Sequence, residues 1–142
     1  MSSGPALDHF PPDPGGGPPE LRRALDQSVI AAYAEASGDH NPIHLDLEYA
    51  RQAGLPATIA HGLLTLGTAC AGVEAWAEGQ AWTARVACRF SAPVPAGEEV
   101  VCTATVASAD PKAATLDLSV LTSTGDRALS KARVELRAPA KS

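Results

Sequence analysis

Between about residues 61 and 77 the chain offers water very little to bind. Leu63, Leu64, Leu66, Ala69, Val73 and Trp76 leave no broad polar stripe, and a helix that is apolar nearly all round belongs in an interior. Gly67, Ala69, Cys70, Ala71 and Gly72 keep its surface low, so a sheet can approach closely, and Gly79 ends it. Such an element has to be wrapped, and the chain beyond it reads as strand after strand. Ala84, Val86, Cys88 and Phe90 alternate with Thr83, Arg85, Ala87, Arg89 and Ser91 until Pro93 and Pro95 stop the run. Residues 100–107, 115–121 and 128–136 repeat the two-residue period, with Leu116, Leu118, Val120, Ala132, Val134 and Leu136 inward and a turn at Gly125-Asp126. Successive strands with short turns predict an antiparallel meander. A buried helix ahead of it predicts an α+β fold in which the sheet wraps the helix.

Upstream of that unit the chain changes character. Residues 1–19 hold six prolines and four glycines, too little apolar surface to offset the entropy of ordering them. They are expected to form a flexible tail, which places a single domain at residues 20–138. A short strand over 20–24 is followed by Asp26, a good N-cap for a helix over 27–36 with Ile30, Tyr33 and Ala34 on one face. Ser37-Gly38-Asp39 breaks that helix, and Pro42 keeps residues 39–44 a loop. Asp46 is placed to cap a brief helix over 47–53, with Gly54 as its stop.

The formal net charge of −5, with no block of basic residues, argues against nucleic acid as the main partner. Three cysteines and no CxxC pair predict neither a disulfide framework nor a zinc site. With no signal peptide visible at the start and no apolar run long enough to span a bilayer, the expected location is cytoplasmic. Nothing in the pattern requires a cofactor.

Chemistry concentrates in one stretch. Asp39 and His44 lie five residues apart on a loop bounded by Gly38 and Pro42. A carboxylate and an imidazole suit proton transfer, since their reference pKa values of about 3.9 and 6.5 supply base and acid near neutrality. Taken singly, Asp39 also fits a turn cap and His44 a satisfied core residue. A second feature is Ala60-His61-Gly62-Leu63 at the start of the buried helix. A helix N-terminus presents unpaired N–H groups, and Gly62 has no side chain to keep a carbonyl away from one. Such donors stabilise an oxyanion, although Gly62 also reads as a residue that only permits tight packing.

The run Tyr33, Ser37, Gly38, Asp39, Asn41, Pro42, His44, followed by Ile59-Ala60-His61-Gly62-Leu63-Leu64, resembles the MaoC-like, R-specific enoyl-thioester hydratase family. Residues 33–67 look especially like the HadB-type subunit of (3R)-hydroxyacyl-ACP dehydratases, and Arg89-Phe90-Ser91-Ala92-Pro93-Val94 looks like the family's strand after the central helix. The resemblance covers residues 20–137. It implies a single hot-dog fold and reversible hydration or dehydration of a (3R)-hydroxyacyl or trans-2-enoyl thioester carried on CoA or ACP. It also implies a homodimer, or a heterodimer with another hot-dog subunit. Position by position, it makes Asp39 and His44 the catalytic pair and Gly62 the oxyanion donor. Asn41, Ser37, Gly38, Ala60 and His61 order the loop or lie beside substrate.

Three rival readings have tests in the sequence itself. A metal at Asp39, His40, His44 and His61 is disfavoured because Pro42 interrupts the helical spacing of the histidines, so none is expected. A hot-dog thioesterase would look to a carboxylate on or near the buried helix, where residues 63–73 hold no acid and Glu74 comes late. An acyl-binding, non-catalytic or partner-dependent subunit is the alternative that keeps the same fold. Arg85, Arg89, Lys131, Arg133 and Arg137 take outward positions that suit either a solvated face or contact with phosphopantetheine or an acidic carrier.

Overall fold

The computed structural model describes residues 5–140. The order along the chain is β1 (Leu21–Ala24), α1 (Gln27–Ser37), a 3-10 turn (Pro42–His44), α2 (Leu47–Gln52), α3 (Gly62–Ala77), then β2 (Trp82–Phe90), β3 (Glu99–Ala109), β4 (Ala113–Thr122) and β5 (Arg127–Arg137). The five strands form one antiparallel sheet in the order β1-β3-β4-β5-β2. The expected meander is present as β3-β4-β5. The first strand after the helix departs from it: β2 crosses over to pair with β5, not β3. Period-2 alternation orients side chains but does not choose a neighbour, which is why the sequence pattern missed this crossover.

Register aligns the inner face. Val106 lies opposite Leu116, Leu116 opposite Val134, and Val134 opposite Val86. Val106, Leu116 and Val134 are fully buried, and α3 lies against this face through Ala69, Val73, Trp76 and Ala77. Small side chains on the helix let the sheet close around it, as its composition predicts. Burial is incomplete, however. Leu63 on α3 is 61% exposed, and the apolar positions of edge strand β2 are open, with Trp82 at 48% and Phe90 at 55%.

Two local expectations change. Asp26 occupies the N-cap position of α1 without a side-chain cap bond, whereas Asp46 does cap α2 by accepting the Tyr49 N–H. The proline-rich segment is also not a loose tail where the structure describes it. Leu7 is buried and donates its N–H to the Trp76 carbonyl, while Gly15 and Gly16 exchange backbone hydrogen bonds with Val106. The expectation weighed side-chain burial alone. The segment's backbone donors and acceptors find partners on β3 and at the end of α3. Residues 1–4 of the expected tail lie outside the described residues.

Candidate active site

Helix α1 ends at Gly38, whose φ of 78° is left-handed and comfortable only for glycine, and whose N–H closes the helix onto the Ala34 carbonyl. The chain then makes three short turns in succession. The Asp39 N–H donates to Ser37 Oγ, the Asn41 N–H to Asp39 Oδ1, and the Ile43 N–H to Asn41 Oδ1, each at 3.2 Å. Side chains of this kind bond backbone two residues on, so the loop is wound by its own polar residues. Asn41 caps the 3-10 turn that carries His44 inward. The carbonyl of His44 is held by Gln27 Nε2 at 2.8 Å, and Gln27 Oε1 accepts from Thr58 Oγ1 at 2.6 Å.

His44 is 7% exposed. Its Nδ1 donates to the Ile59 carbonyl at 2.7 Å, since a carbonyl only accepts. That bond fixes the tautomer and leaves Nε2 with a lone pair. His61, 2% exposed, precedes α3 and donates Nε2–H to the Asp39 carbonyl at 2.9 Å. Its Nδ1 is buried with no protein partner. The His44 and His61 rings stack with centroids 3.8 Å apart at 24°, and the Tyr33 ring sits 4.7 Å from His61. Asp39, His44 and His61 each bring a side-chain oxygen or nitrogen within 4.8 Å of the others.

Asp39, left exposed, faces solvent beside two buried imidazoles. The cluster also has the composition of a metal site. Near-parallel stacking sends the in-plane lone pairs of the two rings side by side instead of onto one point, a poor start for tetrahedral ligation. His40 is not part of it. Its Nε2 lies 2.9 Å from Glu35, and that hydrogen bond raises its pKa above the usual 6.5, with the contact to the Gly38 carbonyl adding to the effect.

A cavity of about 220 Å³ opens next to the cluster, lined by His44, Ile59, Ala60, Gly62, Thr65 and Phe90 with the segment from Ser91 to Val94. Gly62 is the first residue of α3, so its N–H has no acceptor within the helix. A Cβ at Gly62 would lie 2.7 Å from Phe90 Cδ1, so glycine is what lets ring and helix tip meet. Ala60 is buried on the cavity wall, its N–H bonded to the Val94 carbonyl. His44, Ala60 and Gly62 line this cavity, Asp39 and His61 lie beside His44 without lining it, and Ser37, Gly38 and Asn41 belong to the loop that carries Asp39 and His44. Sequence reasoning missed Gln27, Thr58 and Phe90. Nothing in a strand's alternation marks Phe90 as the neighbour of a residue 28 positions earlier.

Known proteins share this outline. A 3-hydroxybutyryl-CoA dehydratase of Methylorubrum extorquens is 30% identical over 123 residues, 85% of this chain and 78% of that protein. An (R)-specific enoyl-CoA hydratase of Rhodospirillum rubrum is 31% identical over 108 residues, 75% of this chain and 74% of that one. Among solved structures, an (R)-hydratase from A. caviae involved in PHA biosynthesis superposes with a TM-score of 0.83 at 25% identity, covering 92% of this chain and 99% of that one. The five-stranded sheet around α3 is the hot-dog fold of such hydratases. The family model for the MaoC like domain matches residues 12–124, and this chain belongs to that family.

Proposed function

We propose that the chain is a hydro-lyase that interconverts a trans-2-enoyl thioester and its (3R)-hydroxyacyl form. The observation that carries this reading is the meeting of Asp39 and His44 beside a cavity headed by the Gly62 N–H. With the thioester carbonyl directed at that N–H, charge that develops on its oxygen meets an unpaired donor at the positive end of α3. The α-proton becomes easier to remove. A water molecule, or the β-hydroxyl in the reverse direction, sits between the Asp39 carboxylate and Nε2 of His44. One group handles the oxygen's proton and the other the α-proton, so no charge leaves the site. His61 supports both, holding the Asp39 backbone and stacking on His44. The (R) course and the choice of thioester rest on the names of the relatives.

A second hot-dog subunit belongs to the same proposal, either another copy or a different chain. Val86 and Phe90, on the inner-face side of edge strand β2, and Leu63 on α3 are apolar side chains that a lone chain leaves wet. A long apolar edge strand invites strand pairing. Hydration of crotonyl-CoA, followed as loss of enoyl absorbance, tests the reading. Asp39→Asn and His44→Ala are each expected to lower kcat/KM at least ~100-fold while circular dichroism stays unchanged. Near wild-type rates in both would overturn it.

A further inference from the structure

We infer that the outer face of β2 and β5, at the end bearing Arg89, Arg127 and Lys131, is the docking surface for an acidic carrier protein that delivers the thioester. The inference rests on the hydro-lyase reading and adds the identity of the carrier.

The chain is acidic overall, yet six of its 11 lysines and arginines stand on these two strands: Arg85, Arg89, Arg127, Lys131, Arg133 and Arg137. All six are exposed. Their distribution is polarised. Towards one end, Arg85 and Arg137 pair with Glu135, and Arg133 pairs with Asp117 on β4. Towards the other, Arg89, Arg127 and Lys131 have no acidic partner among the described residues. That is the end where Phe90, Ser91, Ala92, Ala128 and Leu129 line the cavity. The unneutralised charge is therefore gathered next to the mouth of the site.

Lys131 carries the second observation. It is the only non-glycine residue with positive φ among the described residues, at 49°. Arg89 faces Ser130 and Ala87 faces Arg133, so β5 holds one more residue than β2 across this interval. This is a β-bulge. Alternation outward from Ser130 would have turned residue 131 to the inner face. The bulge instead leaves Lys131 exposed and returns Ala132 to the core. A left-handed backbone is unfavourable for a residue with a Cβ, and its result here is one more cation beside Arg89.

Shape favours a protein over a nucleotide. From Arg127 to Lys131 the unpaired cations run along about 13 Å of strand, with Arg89 beside them on β2, on the outer side of a sheet that curves around α3. Exposed cations spread over the outside of a sheet suit the surface of a protein, whereas small molecules prefer concave sites. The pantetheine arm of a carrier docked here would pass over the end of β2, at Ser91 to Pro93, to reach Gly62.

The test compares one acyl group on two carriers, crotonyl-CoA and a crotonyl-loaded bacterial acyl carrier protein, across a salt series. In the Arg89→Glu/Lys131→Glu double variant, kcat/KM for the carrier-protein substrate should fall about tenfold or more, mostly through KM. Its dependence on salt should flatten. The rate with crotonyl-CoA should stay within about twofold of wild type. Arg137→Ala, at the neutralised end, should change neither. An equal loss on both carriers, or no loss on the carrier protein, would overturn the docking surface. A wild-type protein inactive on both substrates would instead overturn the hydro-lyase reading beneath it.

Discussion

Gly62 and Phe90 show how narrow the tolerance around the site is. A methyl group at residue 62 has to displace the Phe90 ring, which lies 2.7 Å from where that carbon would stand. The ring is half exposed and can move, so Gly62→Ala is expected to cost little stability. It should lower kcat by at least about tenfold, as a misplaced carbonyl loses its donor. Thermal melts beside crotonyl-CoA kinetics separate the two effects. His40 offers a pH-dependent check on the neighbouring loop. Glu35 raises the pKa of His40 in the fold, so any stabilisation by the pair is complete below the ordinary 6.5 and disappears as pH climbs through the raised value. Both side chains are exposed, and the effect on folding should be small. Proton NMR should find His40 titrating above 6.5 and returning towards it in Glu35→Gln. At this scale the sequence was informative: the loop from Ser37 to His44 is wound by bonds between residues two apart, and contacts that local are written in the order of the residues. The Gln27–Thr58 tie and the Phe90 contact join distant segments, and no spacing rule reaches them.

Among elements, α3 was the most legible because its composition leaves no solvent face, and the strands around it were legible by their period. Leu116 sits where the two signals meet, fully buried between Val106 and Val134. Leu116→Ala should destabilise the fold by about 3 kcal/mol, measured by urea denaturation, with an unchanged slope against denaturant. The β2 crossover was not legible, since alternation is the same whichever strand lies alongside. Nor was the N-terminal segment. Prolines and glycines reveal what a chain fails to bury, but not that Gly15 and Gly16 find Val106 waiting with an unpaired N–H and C=O.

For the molecule as a whole, the expected arrangement is set by the edge of β2. If a second copy covers Val86 and Phe90, the purified protein should run at twice its 14.5 kDa mass in light scattering. Val86→Arg should then shift it to the single-chain mass. The resemblance implied a second subunit, but only the strand order together with the exposure of Val86 and Phe90 reveals β2 as an open apolar edge. Phe90 belongs both to that side and to the wall facing Gly62. In the proposed assembly the reaction chamber and the subunit contact would share an aromatic ring. Dilution that separates subunits should loosen the chamber as well, so specific activity ought to decline at low enzyme concentration and recover when the stock is concentrated again.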